Sequence, residues 1–501
     1  MRTKKAMKNI CASMMYQVVA LICGLITPRL ILSTFGSTYN GVVASATQFL
    51  SMISILNLGI AGPTRVALYK TLAANDVEGT SRIMRATKDY MHKVAIILLG
   101  YVTLLCLIYP FVSHNDLSHK ENALLIGIVS LGTFAEYFFG FSNTTLLSAD
   151  QSGYISYLIN IGKTIINTLI VTILIKMNCN IFQVKLGSSI VFFISPFILD
   201  IYVKKKYKLR DKCDPDYGAI KQRGAAAFHS IANIIHNNTD LVILTAFTDA
   251  KVISVYTVYY LVVGKIKQLT EVFTNGLEGG FGNMWVNKEY GALQKNFQAF
   301  EYAMFSFVAV VFSCIGLLLI PFVAQYTRGV NDINYILPVF AALVTIAEAM
   351  YCIREPYLIL VQATGSYEET KWGAMIEAII NIVISIVLVK LIGINGVIIG
   401  TLIANTFRTI QYAIFISDHI LKRSIMDVIK RFVWMISTIA IILLMSKMSF
   451  VLPALDGWLG WIVLAAFTFI VATLATVISG AICYREDFMF FCDVIKRMLR
   501  R

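Results

Sequence analysis

Apolar runs of about 20 residues, each long enough to cross a bilayer as a helix, recur along this chain from Asn9 to Gly480. In hydrocarbon an isolated segment can satisfy its own backbone N–H and C=O groups only as an α-helix. Composition decides between a bilayer and an oversized soluble core. Of the 501 residues, 57% are apolar and 14% are charged, against about 25% charged in average soluble chains. A soluble fold would lack the polar surface to cover so much apolar material. The expected class is an all-α polytopic membrane protein.

Spans are expected at residues 10–32, 42–64, 92–112, 122–147, 153–175, 184–203, 227–248, 252–274, 300–325, 334–362, 372–390, 394–416, 431–450 and 458–481. An even number, fourteen, puts both termini on one side. With a cytoplasmic amino terminus, the inside segments hold 30 lysines and arginines and the outside segments 8, counting helix ends. That asymmetry follows the positive-inside rule and makes both termini cytoplasmic. It also explains the net charge of +14, so no nucleic-acid partner is required. The basic start MRTKKAMKNI resembles a signal peptide but leads to no small-residue cleavage site, so it reads as a retained first helix. The nine cysteines lack metal-ligand spacing, and most, such as Cys23, Cys106, Cys314 and Cys352, lie in apolar runs. A metal site and structural disulfides are not expected.

The stretch YVKKKYKLRDKCDPDYGAIKQR is the most polar interior interval. Six spans precede it, six follow, and two more complete the chain. The expected organisation is residues 1–203 as an N-lobe, 204–226 as a basic cytoplasmic linker, 227–417 as a C-lobe, and 418–501 as two further helices with a cytoplasmic tail. Six being even, both lobes start on the same side, the parallel arrangement of lobes related by an axis along the membrane normal. Residues 275–297 are glycine-rich, with Phe281, Trp285, Tyr290 and Phe297 suited to the membrane surface. Their glycines lack the setting of a phosphate loop.

Ionisable groups inside spans need a partner, a wet cavity or a route to the interface. The basic set is Arg29, Lys163, Lys265, Lys267, Arg354 and Arg408, with Arg65 at a helix end; the acidic set is Glu136, Asp240, Glu271, Glu348, Glu355 and Glu377. Lys163 sits near mid-span with Asn160 and Asn167 on roughly the same face. Arg408 has Asn405 and Gln411 each three residues away. Lys267 and Glu271 share a helix face and suit a local ion pair as well as a substrate role. Arg354 and Glu355 point about 100° apart on a 3.6-residue helix and should not simply neutralise each other; Arg354 suits cargo binding or structural pairing. Arg29 and Arg65 can reach headgroups or a cavity. Asp240, Glu348 and Glu136 can each pair with a base or take up a coupling proton. Arginine and lysine gathered around a cavity suit an anionic solute such as a phosphate. No G-x-S-x-G, H-E-x-x-H or D-D-x-x-D is present, the histidines form no metal set, and the longest outside loops have only about ten residues. Hydrolysis and group transfer are not expected.

Two stretches carry a family resemblance. Residues 17–68, QVVALICGLITPRLILSTFGSTYNGVVASATQFLSMISILNLGIAGPTRVAL, have a proline-bearing helix end, a Y-x-G turn and an L-x-L-G-I segment. Residues 236–260, HNNTDLVILTAFTDAKVISVYTVYY, carry an aspartate followed by a valine- and tyrosine-bearing turn. Both resemble the bacterial polysaccharide-exporter flippases of the multidrug/oligosaccharidyl-lipid/polysaccharide (MOP) superfamily.

The resemblance implies a MOP flippase (MATE-like) fold, with two six-helix lobes and two additional carboxy-terminal helices, in a bacterial plasma (inner) membrane. It implies movement of undecaprenyl-pyrophosphate-linked oligosaccharide from the inner to the outer leaflet for surface polysaccharide, such as O-antigen, by alternating access around a cationic cavity. Among the candidate cavity cations the resemblance supports Arg29 and Arg65 by position, while Lys163, Arg354 and Arg408 rest on their burial alone; of the candidates for coupling H+ or Na+, Asp240 matches a recurrent acidic position of the family, and Glu348 and Glu136 rest on their burial, with no other cofactor expected. Membrane lipid, a glycan polymerase and glycosyltransferases would be its partners. The competing readings are a MATE-like drug or metabolite antiporter and a membrane-integral polymerase or ligase.

Overall fold

A computed structural model describes residues 2–57, 60–210, 213–220, 238–446 and 457–499. The helices in chain order are α1 (Arg2–Met52), α2 (Ala61–Ala73), α3 (Val77–Val112), α4 (His119–Ala135), α5 (Phe141–Ala149), α6 (Tyr154–Lys176) and α7 (Ile181–Tyr207). Then come α8 (Asn238–Phe247), α9 (Ala250–Asn275), α10 (Glu278–Val286), α11 (Tyr290–Tyr326), α12 (Pro338–Thr364), α13 (Tyr367–Ile392), α14 (Ile394–Phe415), α15 (Ile425–Ser446), α16 (Gly457–Cys483) and α17 (Arg485–Leu499). Among the described residues there is no strand, only an isolated bridge between His114 and Asp249.

Ten helical stretches are long and apolar enough to cross a membrane. The first, Met7–Asn57, contains two of the expected spans, because the chain turns at Gly36, whose φ of 84° is unfavourable for a side chain. The three expected spans outside the ten correspond to α8, α9 and α12. Only the part of α8 from Asn238 is described, whereas α9 and α12 are diluted by Lys265, Lys267 and Glu271 and by Glu348, Arg354 and Glu355. The chain is a multi-pass membrane protein whose most charged spans are the least apolar ones.

Some expected boundaries move. The second span does not run from 42 to 64: it begins directly after Gly36, passes into a 3-10 turn at Ile53–Asn57, and α2 starts afresh at Ala61, with Pro63 in its first turn. The fourth span is one line of helix interrupted by a π turn, Glu136–Gly140. Residues 275–297 do not set all four aromatics at the surface: Tyr290 is exposed, but two others are buried. Phe281 and Phe297 are 4% and 0% exposed and enter a core with Phe300, Met304, Tyr357 and Tyr412, because α10 turns Phe281 inward and the start of α11 turns Phe297 inward. Residues 211–212 and 221–226 of the expected linker lie outside the described residues.

The chain divides into two compact units, residues 1–257 with 329–333, and 258–328 with 334–501; the division falls inside α9. The first unit is packed around Val42, Ala46, Leu50, Met91, Leu98 and Tyr109 and, separately, around Leu68, Met84, Leu146, Leu199 and Val203. Large apolar side chains also face outward, among them Ile96, Leu104, Leu107 and Phe111 of α3. Lipid offers such a surface the same environment as a core, so it needs no protein cover.

Candidate functional site

In the first unit, charged side chains gather mainly toward helix ends. Asp150, between α5 and α6, receives Lys5 at 2.9 Å, the Tyr207 hydroxyl at 2.6 Å and the Ser152 hydroxyl at 2.7 Å. Burial pushes this carboxyl up, but the donors from Tyr207, Ser152 and Lys5 outweigh it and hold its pKa at about 2. Asn9 adds two bonds, donating to the Gln151 carbonyl and accepting the Tyr154 amide. Asp200 on α7 receives Lys88 at 2.8 Å and Lys204 at 3.2 Å, with Asn143 donating at 2.8 Å. Sequence reasoning overlooked Asp200; its i,i+4 spacing to Lys204 was the available signal.

A polar seam joins the second half of α1 to α8 and the start of α9. Asp332 accepts the Ser37 amide at 2.7 Å and its hydroxyl at 2.6 Å, capping the helix that restarts after Gly36. Asn40 donates to Ser254 at 2.8 Å, Ser45 pairs with Thr245 at 2.6 Å, and Gln48 and Ser51 both donate to Asn238. A Cβ at Gly41 would lie 1.8 Å from the Ala250 carbonyl oxygen, so only glycine permits this approach. Small residues and hydroxyls are the usual means of joining helices in lipid, where apolar contact gives no preference for protein over acyl chain.

Of the expected site residues in this unit, Glu136 and Lys163 are electrostatic neighbours. The Lys163 ammonium also lies 5.1 Å from the centre of the Phe192 ring, and Glu136 opens the π turn, a distortion frequent at functional sites. Asp240 is buried and accepts the Tyr256 hydroxyl at 2.9 Å. Arg29 is half-buried on α1, and Arg65 is exposed on α2.

The second unit places its charges in the interior. Glu377 of α13 holds Arg354 of α12 at 2.6 Å and Arg408 of α14 at 3.4 Å; all three are under 10% exposed. Arg408 also donates to the Thr370 carbonyl at 3.0 Å and to Gln411 and Tyr412. The pairing alternative for Arg354 is therefore the one this geometry displays, and Glu377 is the partner that joins both arginines. The Lys267 ammonium lies 3.8 Å from Glu348 and 3.9 Å from the centre of the Tyr351 ring, and Glu348 accepts the Tyr260 hydroxyl at 2.9 Å. Glu271 accepts Tyr351 at 2.7 Å, a partner across on α12. Glu301 of α11 is fully buried and receives Arg423, Arg431 and Tyr357; Arg431 also holds Asp487 of α17 at 2.6 Å. Sequence reasoning placed Arg423 and Arg431 among the cytoplasmic charges and did not single out Glu301, because the pairing spans 122 residues.

Among the described residues no group of three histidine, cysteine or acidic side chains could hold a metal ion. No protein-family model matches the sequence, and no curated protein sequence does. Solved structures do match in fold. A lipid II flippase, MurJ, in an inward closed conformation superposes with a TM-score of 0.71 at 14% identity, covering 95% of this chain and 99% of that one. An inward-facing multidrug resistance MATE transporter of the MOP superfamily gives 0.59 at 14% identity, covering 79% and 92%. A MOP transporter from Pyrococcus furiosus, described as having a binding pocket of reversed polarity, gives 0.52 at 12% identity, covering 84% and 95%. The chain has the MOP transporter fold that the resemblance led us to expect.

Proposed function

We propose that this protein is a flippase that carries undecaprenyl-pyrophosphate-linked oligosaccharide from the inner to the outer leaflet of a bacterial plasma membrane, for surface polysaccharide synthesis. The observation that carries the reading is the extent of the fold match to a lipid flippase, 95% of this chain and 99% of that one, against 79% of this chain for the drug transporter. The candidates for engaging the pyrophosphate are Arg29, Arg65 and Lys163 of the first unit; in the second unit the cation candidates Arg354 and Arg408 are both set by Glu377. Alternating exposure of the headgroup to the two leaflets, with the polyprenyl tail left in lipid, completes the cycle without a covalent step. A fixed site with alternating gates is the physical requirement of such transport.

The test is transbilayer movement of a fluorescent undecaprenyl-pyrophosphate-linked oligosaccharide in proteoliposomes, with and without proton or sodium gradients. Protein-dependent movement is the expected result. Failure to move several such lipids, by folded protein that exchanges a small organic cation, would replace this reading with the antiporter.

A further inference from the structure

The carboxy-terminal helix α17 begins one residue after α16, a membrane-spanning candidate that ends at Cys483. It therefore starts at the edge of the bilayer, and its 15 residues are too few to cross again. At about 100° per residue the sequence divides it into three sides. Phe488, Phe491, Ile495 and Met498 fall three or four residues apart on one face, and Glu486, Asp493, Lys496 and Arg497 fall on the opposite one. Asp487 and Phe490 occupy a flank between them. That flank meets the protein: Asp487 accepts Arg431 of α15 at 2.6 Å, and the Lys295 ammonium of α11 lies 4.8 Å from the centre of the Phe490 ring. The apolar face is turned roughly 90° away from this contact. Among the described side chains of α17 none is buried; Phe488 and Phe491 are half-buried, whereas Glu486, Asp493 and Lys496 are exposed. An apolar face left in water is unfavourable, and at the end of a membrane span the bilayer is the neighbour that can cover it.

We propose that α17 is an interfacial helix whose partner is the anionic lipid of the leaflet at which α16 ends. Its apolar face enters the boundary between headgroups and acyl chains, its flank stays against α11 and α15, and its polar face meets water. Charge selects the lipid. Asp487 is answered by Arg431, and the closing stretch KRMLRR carries four positive charges and no negative one. An anionic leaflet attracts each of them. The junction supports the depth. Tyr484, the single residue between α16 and α17, has its ring centre 5.3 Å from that of Trp434 and 6.1 Å from that of Tyr302, and such side chains favour the headgroup level. The seat is also wired to the interior, because Arg431 reaches the fully buried Glu301 at 3.3 Å. A helix held on the leaflet thus fixes one of the two acids that hold Arg431. The proposal concerns where the chain meets lipid and is independent of the cargo.

The experiment is amide hydrogen exchange of the purified full chain, one copy per nanodisc, in phosphatidylcholine alone and in phosphatidylcholine mixed with phosphatidylglycerol. Peptides from α17 report docking, and peptides from α11 and α16 report the fold. In the wild type, α17 should exchange on the order of tenfold more slowly in the anionic discs, since each lysine or arginine near such a surface contributes about fivefold. Lys496→Gln combined with Arg497→Gln should remove that difference. Phe491→Asp should speed α17 exchange in both lipids. Asp487→Asn, which cuts the tether on the flank and leaves the apolar face intact, should keep the lipid difference. Should Phe491→Asp fail to fold, the double substitution and Asp487→Asn still decide. Equal wild-type protection in the two lipids overturns the proposal, as does a lipid difference that survives the double substitution or vanishes in Asp487→Asn. Protection that appears only in discs holding two chains gives the face to a second copy and overturns it as well.

Discussion

The two units handle charge in opposite ways. In the first, the partners of Asp150 and Asp200 include lysines with 33% to 45% of their side chains exposed, as at Lys5, Lys204 and Lys206. In the second, Arg423, Arg431, Arg354 and Arg408 are all at 6% or less. An exposed pair exchanges its partner for water when broken and contributes little. A buried pair has already lost its hydration, so removing one partner strands the other. The difference teaches that the second unit depends on ionic order in its interior, while the first is joined mostly by hydroxyls, amides and close backbone approach.

Glu301 offers the severest test. Glu301→Ala takes a carboxylate from two buried arginines, leaving Arg431 its bond to Asp487, and should lower unfolding stability by about 3–5 kcal/mol, read from thermal unfolding in detergent; a fall no larger than that of a surface substitution would break the contrast between the units. Glu377→Ala should cost nearly as much by freeing Arg354 and Arg408, and it should also depress lipid movement, measured in the proteoliposome assay. In the first unit, Asp332→Ala removes the cap of Ser37 and should cost about 0.5–2 kcal/mol, a smaller drop by the same measurement.

The smallest effect belongs to Asp150→Asn, and it has a pH signature. The carboxyl of Asp150 is depressed to about 2 from an unfolded value of about 3.9. Its contribution is therefore fully present above about pH 4 and is lost as pH falls through about 2. Stability profiles of the wild type and Asp150→Asn should run parallel above pH 4 and converge toward pH 2. Profiles that stay apart at pH 2 would show that the aspartate acts through shape and not charge.

Helical class and membrane residence were legible because a bilayer imposes one local solution on any long apolar run. Gly36, the break near Pro63 and the capping box of Ser118 and Glu121 at the start of α4 are likewise local signals. The site was legible only as a set of residues that need partners. Arg408 and Arg354 look alike in sequence as buried cations, and nothing local says that one carboxylate, Glu377, serves both. Nor does the sequence show that Asp332 caps a helix 295 positions earlier, or that Tyr351 of α12 reaches Glu271 of α9 and Thr274 of α9 reaches Glu355 of α12. Helix formation depends on neighbours three and four residues away, which the sequence contains directly. Which charges meet depends on how helices far apart in the chain are packed, and only the tertiary structure decides that.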